Sequence, residues 1–170
     1  MGSEAKLGFL GIGPRIAWFT FPALAVAITA SYLEPQLFLM NFIPRPISMV
    51  AGWIFLIPGL IFYAFTASTL AKGIRLNMLL TTGTFSLCRN PLYADFIYFI
   101  FPSVGLLTNS WLVLACTPVA YLAFKMNIHL EYEQLERIFG EDYKAYAERT
   151  RELLPIPKRK RAVSESLDNF

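Results

Sequence analysis

A chain of 170 residues that is 55% hydrophobic and 15% aromatic, with only 16% charged residues, carries more apolar surface than a water-soluble domain of this size can bury. Its net charge of +3 arises from 15 basic against 12 acidic residues, and the placement of those charges around apolar segments accounts for the excess without a nucleic-acid partner. The two cysteines fall in segments of different character, which argues against a disulfide framework, and no metal site is expected.

The chain opens Met1-Gly2-Ser3 but has Lys6 where N-acylation wants Ser or Thr, so lipidation is not expected. The first apolar run is too long for a typical signal-peptide core and lacks a clear small-x-small cleavage site, so it is read as a retained span after a short interfacial lead-in, Gly8 to Pro14. Residues 16–33 and 47–70 contain no charged side chain and reach the roughly 17–25 residues that a membrane helix needs. Pro58-Gly59 predicts a kink in the second. Residues 94–108 and 111–127 form two further predicted spans, a tight hairpin turning at Asn109-Ser110, because one continuous helix would have to contain Pro102 and Pro118. No internal repeat or heptad pattern is read.

Beyond the hairpin, Leu135, Ile138 and Phe139 make an apolar stripe on a helix that Gly140 should stop, and a second helix from Glu141 to about Arg149 can pack back through Tyr143 and Tyr146. These cytosolic helices occupy roughly 129–149, until Pro155 and Pro157 end regular structure and a basic tail, 157–170, reads as disordered. Its basic cluster is positioned to touch anionic headgroups. The expectation is therefore an all-α, polytopic membrane helix bundle of about four transmembrane helices with a C-terminal cytosolic helical segment, residues 1–156 forming one integral membrane domain.

Four spans with both termini in the cytosol put every basic residue except Arg45 on the inner side. The hairpin then folds Arg89-Asn90-Pro91-Leu92-Tyr93 and the segment from Glu131 to Tyr143 onto that same face. Glu131 precedes Leu135 by one helical turn and Ile138 by two, so it shares their inward side, while Glu133 turns away. A carboxylate on that side is expensive without a partner, which makes Glu131 the leading acidic site candidate. Cys88 beside Arg89 has two readings, a nucleophile of lowered pKa or a structural thiol, and the second is favoured because no His lies near it. His129 is read as structural.

Thr82-Gly83-Thr84-Phe85, Arg89-Asn90-Pro91-Leu92-Tyr93, the hairpin, Glu131-Tyr132-Glu133, Phe139-Gly140-Glu141-Asp142-Tyr143-Lys144-Ala145-Tyr146 and Leu154-Pro155 together resemble the isoprenylcysteine carboxyl methyltransferase and phospholipid methyltransferase group. The resemblance runs over about residues 79 to 157. It implies a small membrane enzyme that uses S-adenosylmethionine on a lipid-like or isoprenoid amphipathic substrate. It implies a cofactor pocket involving Gly83, Arg89, Asn90, Pro91, Tyr93 and Glu131, with Glu131, Arg89 and Asn90 at the catalytic centre. Arg89 would hold the cofactor carboxylate, Tyr93 would pack on its base or sulfonium, and Glu131 would pair with its ammonium or a ribose hydroxyl.

The chain departs from that family in carrying Asn90 where His is usual, Asp95 where a small Gly is usual, and glutamates split by Tyr132. Asn127, one turn before Glu131, stands where an Arg would suit a carboxylate substrate. Asp95 and Asn127 are accordingly the substrate-side candidates, Asp95 as an attractor of an amine or as a helix-start hydrogen-bonding group. Two alternatives stay open: a membrane NAD(P)H-dependent reductase of the sterol reductase type, which shares a similar Arg-His-Pro-x-Tyr block, and a non-catalytic membrane homologue.

Overall fold

The structure is a computed structural model that describes residues 13–154. The readings of the acylation signal, of the lead-in before Gly13 and of the basic tail lie outside the described residues. The chain is all-α, in the order α1 (Gly13–Leu33), α2 (Pro35–Phe38), α3 (Arg45–Leu76), a 3-10 turn (Gly83–Ser86), α4 (Pro91–Asp95), a π-helical turn (Phe96–Ile100), α5 (Phe101–Leu107), α6 (Trp111–Leu114) and α7 (Cys116–Arg149).

Three helices are long and apolar enough to cross a membrane, those covering Ile16–Leu33, Arg45–Leu76 and Trp111–Arg149, the pattern of a multi-pass membrane protein. The predicted span 94–108 corresponds to a shorter apolar helical stretch, Pro91–Leu107, and the second predicted span is longer than expected, 32 residues. At 1.5 Å per residue α3 is about 48 Å long, so Arg45 and the Lys72-Arg75 pair stand at its opposite ends. Only 17–33% of each long helix's apolar window is buried within the protein. Trp18 and Phe19 on α1 and Ile54, Ile61 and Phe65 on α3 point outward, a surface that lipid tails cover at no cost and water would not.

The prolines act locally. Pro102 has no N–H and its ring would clash with the carbonyl four residues back, and the chain absorbs this in the wide Phe96–Ile100 turn, where the Phe101 N–H bonds the Phe96 carbonyl. Pro58, by contrast, lies within α3 without interrupting it.

The sequence reading found no heptad, but α3 carries one of small residues. Ser48, Gly52, Gly59, Thr66 and Gly73 are its buried positions, all but the first step seven residues apart, and they form the seam that receives the Pro91–Leu107 stretch and the loop before it. A Cβ added at Gly52 would stand 2.7 Å from Leu107 Cγ, and one at Gly59 2.8 Å from Phe99 Cβ. At Gly73 it would stand 2.5 Å from Leu80 Cγ. Glycine, serine and threonine carry little hydropathy, so this pattern leaves no trace in the apolar periodicity of the chain.

The hairpin turn is where the sequence placed it. Asn109 adopts φ 52°, which Asn tolerates, and Ser110 caps α6 by accepting from the Val113 N–H at 3.3 Å. This end is tied to the α1–α3 connection: the Met40 N–H donates to Asn109 O at 2.9 Å and Trp111 Nε1 to Leu37 O at 2.9 Å. Ser31 and Ser110 share a 2.6 Å hydrogen bond beneath it. At the opposite end α7 bends at Gly140, φ 52° and ψ −124°, so the stop and the second helix to Arg149 are both present. Lys144 bridges the bend, reaching Glu136 at 3.5 Å and Glu141 at 2.9 Å. The core lies between these ends, where Phe124 and Ile128 of α7 pack with Ile97, Phe101 and Cys88.

Candidate functional site

A cavity of about 330 Å³ opens at the Gly140 end of the bundle. Its polar wall is built from the two sequence blocks flanking the hairpin: Arg89, Asn90, Pro91 and Tyr93 on one side, Glu131, Tyr132, Tyr143 and Tyr146 on the other. Its apolar floor runs inward along Phe96, Phe101 and Phe124 and reaches Thr20 and Phe21 on α1 and Tyr63 and Leu70 on α3. Helix α1 packs on α7, and α3 packs on α4 and α5, whereas α1 and α3 pack little against one another. The apolar arm therefore lies between two helices that do not close on each other.

The α7 residues of the wall, Glu131, Tyr132, Gln134, Leu135 and Phe139, recur at helical spacing, and Glu133 is exposed. The inward placement of Glu131 follows from that register. Tyr93 Oη donates to Glu131 Oε2 at 3.2 Å, a direct link between the two blocks. Tyr93 also packs its ring on Phe124, with centroids 5.2 Å apart.

Arg89 is held by a fold-back that local patterns do not announce. Residues 151–154 return along the Arg89 loop, where the Arg89 N–H donates to Arg151 O at 2.8 Å and the Asn90 N–H to Glu152 O at 3.0 Å. Glu152 stands 3.9 Å from the Arg89 guanidinium and also takes Lys125 Nζ at 2.6 Å. The guanidinium lies 4.5 Å over the Tyr132 ring, a cation–π contact worth about 0.5–2 kcal/mol by burial. Tyr143 Oη lies beside the Arg89 guanidinium, within reach of its charge, and both Oη and Arg89 Nε are buried without ideal hydrogen-bond geometry to a partner among the described residues. Both residues line the cavity, so its wall carries a guanidinium and a phenol side by side.

Asn90 plays a different part. Its amide nitrogen donates to Tyr132 Oη at 2.6 Å and Glu152 O at 3.2 Å, and the residue is 5% exposed, so it clamps the wall together. Tyr146 Oη donates to Phe85 O at 2.6 Å, which ties the 3-10 turn to the second half of α7. Gly83 does not line the cavity; with φ +62° it shapes the turn that presents Phe85.

Both substrate-side candidates lie away from the cavity lining. Asp95 is fully buried against α3, where a Cβ at Gly59 would come within 3.4 Å of its Oδ1, and it is not part of the cavity lining. Asn127 bonds its own helix, Nδ2 to Ala123 O at 2.8 Å. The nucleophile reading of Cys88 also fails: the thiol is 2% exposed, and burial pushes it up to about 11, against a smaller lowering by a backbone hydrogen bond at Asn90. His129 is exposed outside the cavity. Among the described residues no group of His, Cys, Asp and Glu is arranged to hold a metal ion. Glu152 and Tyr132 were missed as site residues. The only sequence signal for Glu152 was an acid placed just ahead of the Leu153-Leu154-Pro155 closure.

Comparison with protein-family models, with curated proteins and with solved structures yields no match for this chain. The site is therefore interpreted from its own geometry.

Proposed function

We propose that this chain is an integral membrane methyltransferase that uses S-adenosylmethionine on a lipid-like or isoprenoid amphipathic substrate. The observation that carries the reading is one cavity with two characters: a charged, tyrosine-rich end and an apolar arm that runs between α1 and α3. A ligand with charge at one end and a second ligand with a long apolar body can both be served there.

The donor set suits the cofactor. Arg89 and Tyr143, side by side in the cavity wall, match a carboxylate, and Glu131, oriented by Tyr93, matches an ammonium or a ribose hydroxyl. The Tyr93, Tyr132 and Phe139 rings offer faces to an aromatic base and to positive charge. When bound, S-adenosylmethionine supplies a methyl group activated on a sulfonium. The protein's part is positional: Tyr132 and Glu152 fix the Arg89 guanidinium, Asn90 fixes Tyr132, and the phenylalanine floor excludes water. No general base is required of the chain once an acceptor is aligned. Asn90 acts here as a positioning residue rather than a reacting one.

The same reading places four passes across the membrane, Pro91–Leu107 being the shortest, with both termini and the polar end of the cavity on the cytosolic side. Lys72, Arg75, Arg89 and Lys125 against a lone Arg45 support that orientation. The test is calorimetric titration of the detergent-purified protein with S-adenosylhomocysteine and, in parallel, with NADPH. Binding of the first, lost in Glu131→Gln and Arg89→Ala while both variants stay monodisperse, supports the proposal. Unchanged affinity in both variants, or binding of NADPH alone, overturns it.

A further inference from the structure

Arg89 also borders a second, shallower groove of about 490 Å³, lined by Arg89, Tyr98, Tyr121 and Arg151–Leu154. It is cationic. Arg89 and Lys125 share the single carboxylate of Glu152, and Arg151 is exposed with its guanidinium in no ion pair or hydrogen bond among the described residues. Arg89 and Arg151 of the lining, with Lys125 at its edge through Glu152, thus stand against one negative group. The groove is also amphipathic, since Tyr98 and Tyr121 are 37% and 41% exposed and Leu154 is 43% exposed. The outward side of α7 continues from Lys125 to Leu122, which is 59% exposed, and Val119. A cationic notch, phenolic hydroxyls and then an apolar slope follow one another in the order in which a phospholipid presents phosphate, glycerol region and tails.

We propose that this groove binds the phosphate of an anionic membrane phospholipid. Arg151 and Lys125 supply the charge, Tyr98 and Tyr121 the hydroxyl donors, and the tails lie along α7. A lipid-borne phosphate fits better than a free one, because a soluble anion would leave the exposed Tyr98, Tyr121 and Leu154 surfaces uncovered. Occupancy of the groove has a consequence for the cavity. Residues 151 and 152 hold the Arg89 loop through two backbone hydrogen bonds, so a lipid that fastens Arg151 also steadies the cavity wall.

The full-length protein in detergent, supplied with equal phosphatidylglycerol and phosphatidylcholine, is read by native mass spectrometry for retained lipid. Preferential retention of phosphatidylglycerol is expected, weakened about fivefold in Arg151→Gln, the factor that one basic group at a membrane surface supplies. Arg137→Gln removes an exposed charge from α7, outside the groove, and should leave retention unchanged. Arg151 contributes only its carbonyl to the fold, so its variant keeps the Arg89 loop bonds. Equal retention of the two lipids, an Arg151→Gln protein that retains phosphatidylglycerol like wild type, or an equal loss in Arg137→Gln overturns the proposal. Displacement of the lipid by an equal concentration of inorganic phosphate also overturns it, assigning the groove to a free anion.

Discussion

Replacing Asn90 by Ala removes the two hydrogen bonds that its side chain makes, to Tyr132 Oη at 2.6 Å and to Glu152 O at 3.2 Å. The Glu152 carbonyl keeps the Asn90 backbone N–H at 3.0 Å, so one acceptor stays satisfied while Tyr132 Oη loses its donor. At about 0.5–1.5 kcal/mol for each bond, the loss totals roughly 1–3 kcal/mol at this 5% exposed position. For a chain of this size that lowers the melting temperature by about 2–10 °C in detergent, measured by tryptophan or dye fluorescence. Affinity for S-adenosylhomocysteine should fall with it, because Tyr132 is the surface on which Arg89 rests. An Asn90→Ala protein that melts within a degree of wild type and binds the ligand unchanged would refute the idea that this amide holds the wall.

Other expectations follow from the same geometry. Gly59→Leu forces a side chain into a site where even Cβ would stand 2.8 Å from Phe99 Cβ, and should destabilise by about 1–3 kcal/mol or more, seen as a lowered melting temperature; an unchanged midpoint would mean that α3 does not pack there. Cys88, pushed up to about 11, should resist iodoacetamide at pH 8 in the folded protein, and rapid labelling would contradict its burial. The raised thiol also has a stability consequence: the unfolded chain releases this proton near pH 9 and the folded one only near 11. Stability therefore declines as pH climbs through that window, which unfolding midpoints at pH 8 and pH 10 would register. Lys144→Ala should change the melting temperature by no more than a degree or two, because its carboxylate partners are exposed.

What the sequence disclosed was local. Charge-free runs marked the first two long helices, Asn109-Ser110 marked the turn because Asn accepts positive φ, and Gly140 marked the bend for a similar reason. Glu131 was found by counting one helical turn back from Leu135, and the structure puts both on the cavity wall. What escaped depended on chain segments distant in sequence. Asp95 looked like a ligand group because it is charged, but its position is decided by Gly59, 36 residues earlier by number, whose missing side chain leaves room for the helix that carries it. Glu152 looked like an ordinary surface acid until the chain turned back and set it between Lys125 and Arg89. The small residues of α3 carry no hydropathy signal, and only their seven-residue spacing marks them.

The fold-back at 151–154 also fixes when the site comes into being. Every described helix is translated before Arg151 and Glu152, so Arg89 and Asn90 lack the backbone partners that hold their loop until those two residues are made. The cavity wall is therefore the last part of this region to be assembled, and the first to be lost when translation stops at Arg149. A truncated chain would sit in its membrane with its helices formed and its site unmade.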